Sequence, residues 1–119
     1  VNVLAVDDSR TIRDMLRLAL TDAGITAHLA EDGQHGLEVL EGLEPDAIIT
    51  DINMPRLDGF GFIGAVRQIE KHKTVPILVL TTESSPELKA RAREAGATGW
   101  IVKPFDPEKL VRALHIVAG

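Results

Sequence analysis

Five short apolar runs punctuate the chain, at residues 1–6, 25–30, 47–50, 75–80 and 99–102, and each is followed by a segment with helical spacing. That alternation restricts the fold more than any other feature. Strands separated by helices pair in parallel, because the helix is the crossover that returns the chain to the same edge of the sheet. Such crossovers are right-handed, and the helices cover both faces. The runs 1–6, 47–50 and 75–80 are almost wholly apolar, as strands covered on both sides require. Residues 25–30 alternate loosely, Ala27 and Leu29 against Thr26 and His28, which suits a short strand near an edge. The expected class is α/β: five βα units in a doubly wound parallel sheet, a three-layer sandwich with strand order 2-1-3-4-5. Periodicity alone does not fix that order; the motifs described below, through the resemblance they carry, do most of the fixing.

The helical segments carry their own start and stop signals. Ser9 caps the first, in which Ile12, Met15, Leu16, Ala19 and Ala23 share one apolar face, and Gly24 closes it as a left-handed cap. The second is predicted over 33–42, weakened by Gly36 and closed by Gly42. Asp58 caps the third, with Phe62, Ile63, Val66 and Ile69 inward; Gly59, Gly61 and Gly64 are read as close-packing positions. Ser85-Pro86-Glu87 opens the fourth with a cap and a proline at the first helical position. Its apolar face is thin, mostly Leu88, Ala92 and Ala95. The fifth starts at Asp106-Pro107-Glu108 and turns Leu110, Ala113, Leu114 and Val117 to the sheet.

At 119 residues the chain is expected to be one domain, 1–119. Without cysteine it has no disulfide, thiol catalysis or thiolate metal site. A formal charge of −5 and 3% aromatics argue against nucleic-acid binding, which wants basic stripes and stacking rings. No apolar stretch reaches the ~18 residues of a membrane span, and no secretory pattern opens the chain. The expectation is a soluble, cytoplasmic protein with no membrane insertion. His28, His35, His72 and His115 are scattered and are read as surface residues.

The informative residues are those at the strand ends: Asp7-Asp8, Asp51, Thr81 and Lys103. All fall at carboxyl ends, the edge where open α/β sheets bind ligands. Asp51 ends the β-branched run Ala47-Ile48-Ile49-Thr50, and Pro55 prevents that strand from continuing. In the proposed order the first and third strands are neighbours, roughly 4.8 Å apart. Three carboxylates then crowd together, and their repulsion raises at least one pKa unless a cation intervenes. Oxygen-only ligands suit Mg²⁺, which uses one or two carboxylates and keeps waters for a phosphate to displace. Lys103, two strands from Asp51 and roughly 10 Å away, has the reach to pair with it. Thr81, on the strand between, offers its hydroxyl to the same group. Asp51 is therefore expected to act as the nucleophile that accepts a phosphoryl group, with Mg²⁺ and Lys103 neutralising the oxygens around phosphorus. Movement of Thr81 toward the new phosphate would vacate space, and Trp100 is the large side chain best placed to respond.

With these residues assembled, the chain resembles the receiver domains of bacterial two-component response regulators, the CheY-like branch of the flavodoxin-like folds. CheY-like domains are the stock illustration of the 2-1-3-4-5 order, so that order is carried over from the resemblance. The matching motifs are Val6-Asp7-Asp8-Ser9, Asp51-Ile52-Asn53-Met54-Pro55, Leu57-Asp58-Gly59, Leu80-Thr81-Thr82 and Val102-Lys103-Pro104-Phe105; each is weak alone, but five in order are specific. The resemblance implies that Asp51 takes its phosphoryl group from a sensor histidine kinase. It implies that Asp7, Asp8, Asp51 and the backbone carbonyl of Asn53 hold Mg²⁺, that Thr81 and Trp100 form the switch pair, and that Lys103 senses the phosphate. It also implies a cis Lys103-Pro104 bond. Two positions depart from the commoner pattern. Trp100 stands where Tyr or Phe is usual, so its rotamer change is sterically limited. Thr82 is bulkier than the alanine often found there in chemotaxis regulators, which narrows access for dephosphorylation.

The implied role is a phosphorylation-controlled signalling switch, not a turnover enzyme, whose own residues catalyse phosphoryl uptake and loss. The fourth helix, fifth strand and fifth helix form its expected output surface, since Thr81 and Trp100 flank it. The downstream partner there would be a protein such as a flagellar-motor or kinase-complex component, with a phosphatase as a further partner. Asp8-Ser9-Arg10-Thr11 leans toward chemotaxis through family likeness only. The sequence ends after the fifth helix without a DNA-binding or enzymatic module, as a free-standing regulator or an excised receiver would. Two alternatives stand beside this reading. A haloacid-dehalogenase-like aspartyl-phosphate hydrolase needs a second acid two residues after the nucleophile, where this chain has Asn53. A flavodoxin-like cofactor carrier needs Ser, Thr and Gly after the first strand, where this chain is acidic.

Overall fold

The computed structural model describes residues 1–118, which form five strands and five helices in strict alternation. They are β1 (Asn2–Val6), α1 (Arg10–Asp22), β2 (Thr26–Ala30), α2 (Gly33–Leu40), β3 (Ala47–Thr50), α3 (Gly59–Gln68), β4 (Ile77–Thr81), α4 (Pro86–Ala95), β5 (Gly99–Val102) and α5 (Pro107–Ala118). The sheet is parallel throughout, in the order β2-β1-β3-β4-β5.

The apolar runs become central strands because their alternate side chains serve two separate cores. Leu4, Val6, Ile48, Ile77 and Val79 pack with Leu40, Phe62, Ile63, Val66 and Ala92 beneath α2, α3 and α4. Their neighbours Val3, Ala5, Ala47, Ile49, Leu78 and Leu80 pack with Leu16, Leu20, Leu110 and Leu114 beneath α1 and α5. A polar substitution in β1, β3 or β4 therefore meets a core on whichever face it points to. β2 is the edge strand its looser pattern predicts.

Most caps hold as expected. Ser9, Asp58 and Ser85 each accept the N–H three residues on, and Gly24 adopts φ +76° after α1. Several local expectations are corrected. α2 stops at Leu40, short of Gly42, with Glu41 as its cap. Met15 is 39% exposed and not part of the buried face of α1, because Leu16, Ala19 and Leu20 already fill the space over the sheet. Ala23 is the exposed cap that ends α1. A single 3₁₀ turn, Glu70–His72, follows α3 and folds His72 inward, so this histidine is buried and not a surface residue. α4 is as thinly anchored as its sequence suggests, with Ala92 its one buried residue.

Candidate functional site

The register builds the site. Val6 pairs with Thr50 across β1 and β3, so the next residues, Asp7 and Asp51, leave the sheet side by side. The Asp51 N–H still donates to the Val6 carbonyl at 3.0 Å, which fixes the spacing as the strands end. Both aspartates are buried, whereas Asp8 is exposed. One carboxylate oxygen from each of Asp7, Asp8 and Asp51 falls within 4.8 Å of the other two.

Lys103 reaches this cluster from the far side. β5 pairs Val102 with Thr81, and the Lys103 N–H donates to the Thr81 carbonyl at 2.7 Å. Its ammonium Nζ stands 3.0 Å from Asp51 Oδ2, as expected, and 2.7 Å from Asp7 Oδ2, which the sequence did not predict. The Asp51 contact is a hydrogen bond; the Asp7 contact has the distance of an ion pair without hydrogen-bond angles. The other oxygens are held by backbone: Asp7 Oδ1 accepts Ser9 N–H at 2.9 Å and Asp51 Oδ1 accepts Ile52 N–H at 2.7 Å. The bond from Lys103 to Pro104 is cis.

Burial is the largest influence on Asp7 and pushes its carboxyl above the usual range, against the lowering effect of Lys103 and Ser9 N–H. Burial alone would lower the Lys103 ammonium, but its contacts with Asp7 and Asp51 outweigh that and raise it above an ordinary lysine. When all three acids are ionised, three carboxylates against one ammonium leave an excess of two negative charges. An all-oxygen donor set with that excess fits a hard divalent cation such as Mg²⁺ and does not fit a soft one.

Thr81 and Trp100 are brought to one residue that sequence reasoning missed. Thr81 is wholly buried and its Oγ1 accepts the N–H of Glu83 at 3.3 Å. Half-buried Trp100 donates from Nε1 to the carbonyl of Glu83 at 3.0 Å. The two side chains are thus joined through the backbone of Glu83, a link no side-chain pattern reveals.

Asn53 is exposed in the β3–α3 connection, directly after Ile52. Gly59 pins the end of that connection: its N–H donates to the Ile52 carbonyl at 2.8 Å, and a Cβ there would overlap the Asp51 carbonyl. Gly59 and Gly61 are the packing positions the sequence suggested, whereas a Cβ at Gly64 meets open space. Also missed were Arg13, whose Nη1 donates to the Asp7 carbonyl at 2.8 Å, and the Asp32–Arg56 ion pair at the rim.

A family model described as the response regulator receiver domain matches residues 3–115. The chain belongs to this family. The receiver domain is 49% identical to the structure of chemotaxis protein CheY4 of Vibrio cholerae, with a TM-score of 0.95 and 98% of each chain covered. It is 36% identical to chemotaxis protein CheY1 of Helicobacter pylori, covering 100% of this chain and 98% of that one. It is 28% identical, with a TM-score of 0.92 and 99% and 97% coverage, to the receiver domain of the Pseudomonas aeruginosa sensor histidine kinase PA1611, whose structure has a magnesium ion coordinated in the active-site cleft. Several other curated relatives are longer, and the receiver domain spans half their length or less. Receiver domains are phosphoacceptor switches of two-component signalling that work with histidine kinases and downstream targets. No helix among the described residues is long and apolar enough to cross a membrane.

Proposed function

We propose that residues 1–119 act as one receiver unit in which Asp51 is the phosphoacceptor. The phosphoryl donor is the phosphohistidine of a sensor histidine kinase. A carboxylate oxygen of Asp51 bonds to phosphorus as the phosphorus–nitrogen bond breaks, and the imidazole leaves with the electron pair. Asp7, Asp8, Asp51 and the backbone carbonyl of Asn53 hold Mg²⁺, which when bound neutralises phosphoryl oxygens. Lys103 supplies the second positive charge, and Thr81 offers its hydroxyl to the phosphate. The observation that carries this reading is one ammonium, Lys103 Nζ, seated between buried Asp7 and Asp51 with Asp8 beside them. Acids at that spacing repel without a cation, and phosphoryl transfer is catalysed chiefly by such positioning and neutralisation.

Movement of Thr81 toward a phosphate draws on the Oγ1 that now accepts from Glu83, and Trp100 holds the same residue. Phosphorylation thereby biases the α4-β5-α5 surface between two arrangements. The switch catalyses its own phosphorylation and dephosphorylation, and a phosphatase partner shortens its lifetime. The likeness over full length to CheY4 and CheY1 supports a chemotaxis pathway, a cytoplasmic setting and a motor or kinase-complex target.

Mass spectrometry after incubation with Mg²⁺ and a small phosphodonor tests the assignment. Wild type gains one phosphoryl group and Asp51→Asn gains none. Equal labelling of the variant removes Asp51 from the role.

A further inference from the structure

The β3–α3 connection turns at Arg56, whose φ of +65° is the only positive value outside glycine among the described residues. Across it, the Leu57 N–H donates to the Pro55 carbonyl at 2.7 Å. A bond from i to i+2 around a residue of positive φ is the rarer, strained form of γ-turn. Glycine would adopt it without a Cβ conflict, yet an arginine stands there. Its side chain shows what holds the turn. Arg56 Nε reaches Asp32 Oδ2 at 2.8 Å and Nη2 reaches Oδ1 at 3.0 Å, a bidentate fork. Asp32 is 4% exposed, and its Oδ1 also accepts His35 N–H as the cap of α2. The same two loops meet again where the Gly33 N–H donates to the Leu57 carbonyl at 3.1 Å.

Strained backbone persists where its surroundings over-determine it, and it concentrates at functional sites. Here it falls between Asn53 and Gly59, in a connection tied at its ends by Asp51 and Gly59. Buried Met54 and the Gly33–Leu57 bond hold this stretch on either side of the turn, and only the Asp32–Arg56 fork holds the strained residue itself. We propose that this ion pair is a positioning device that presets the divalent-cation site from outside it, by fixing the turn that follows the Asn53 carbonyl. The proposal rests on the reading of the Asp51 site given above.

The alternative, that Arg56 acts only as a nearby positive charge, predicts the opposite sign. Removing a cation from the rim would then tighten Mg²⁺ binding. Removing the brace should weaken it.

The test is Mg²⁺ titration at fixed ionic strength, followed by Trp100 fluorescence and by calorimetry, with urea unfolding of the same proteins. Arg56→Gly relieves the backbone conflict but leaves the Asp32 carboxylate without its cation, so the urea curves serve to show that each variant is folded at the temperature of the Mg²⁺ titration. Its Mg²⁺ affinity should fall by about tenfold, the low end for groups that orient a metal ligand from outside. Asp32→Asn, which keeps a capping side chain, should fall similarly, and the double variant no further than the worse single one. Equal or tighter binding by Arg56→Gly overturns the brace. A wild type that binds no Mg²⁺, or binds it equally after Asp51→Asn, overturns the underlying reading of the site instead.

Discussion

Trp100 and Thr81 do not need to touch in order to be coupled, because Trp100 Nε1 holds the carbonyl of Glu83 at 3.0 Å and Thr81 Oγ1 holds its N–H at 3.3 Å. A change at either side chain is therefore felt by the same peptide segment. Trp100 is the only tryptophan in the chain, so its emission reports this link without labels. Addition of beryllofluoride with Mg²⁺ should shift Trp100 emission in wild type and leave it unchanged in Thr81→Val. Trp100→Phe should lower stability by about 1 kcal/mol for the lost hydrogen bond, measured by urea unfolding. A shift that survives in Thr81→Val would mean that Thr81 does not transmit the signal.

Lys103→Met should be the most destabilising of the site variants in the absence of metal. It leaves Asp7 and Asp51 buried without their cation, which costs about 3 kcal/mol when one partner of a buried pair is removed. Burial already raises the Asp7 carboxyl, and loss of the Lys103 charge raises it further, so protonation of Asp7 relieves the penalty and the deficit should shrink as pH falls from 7 toward 5. Urea midpoints at the two pH values check both the size and the sign.

Mg²⁺ should stabilise the wild-type fold, since the acids converge only when folded. At a free concentration of one hundred times Kd, the expected gain is about 2.7 kcal/mol. Asp8→Ala removes the acid that has no part in the Lys103 pairing, and its thermal midpoint should respond little to Mg²⁺. A full response in that variant would exclude Asp8 as a ligand.

His72 gives a separate pH dependence. Its side chain is 2% exposed, and Nε2 is buried without a partner. Burial, helped by the nearby Lys71 charge, lowers its pKa below that of a free histidine, while Glu44 and the Leu40 backbone oppose the shift. The unfolded chain then binds a proton at a pH where the folded one does not. Stability should fall as pH drops below about 6.5, by no more than about 1.4 kcal/mol per pH unit from this one group. His72→Gln should flatten that part of the profile in urea titrations at pH 7.5, 6.5 and 5.5.

The strands and the residues at their ends were legible from local patterns, whereas the strand order that sets Asp7 beside Asp51 came from the family resemblance. Alternating apolar residues place strands, and a strand that stops at Asp7, Asp51, Thr81 or Lys103 places those residues at one edge whatever the loops do. What the sequence could not show was pairing between loops. Asp32 and Arg56 lie 24 residues apart in segments with no periodicity, and only the packed β2–α2 and β3–α3 connections bring them together. Met15 and His72 were misread for a related reason. Helical spacing gives a face but not its width, and a single 3₁₀ turn after α3 leaves no apolar repeat to reveal that His72 points inward.

Arg67 has a consequence for how α4 is able to move. Its guanidinium donates to the Gly96 carbonyl from Nε and Nη2, at 3.1 and 2.7 Å, and to the His72 carbonyl from Nη1 at 3.0 Å. Gly96, at φ +116°, sits so close over the arginine that a side chain there would collide with it. The trailing end of α4 is bolted to α3, while the leading end hangs from the Thr81–Glu83 segment and is the part a phosphate would disturb. Any rotation of α4 that keeps the Arg67–Gly96 bonds is centred on its last turn, like a door on its jamb, and displaces its first turn most.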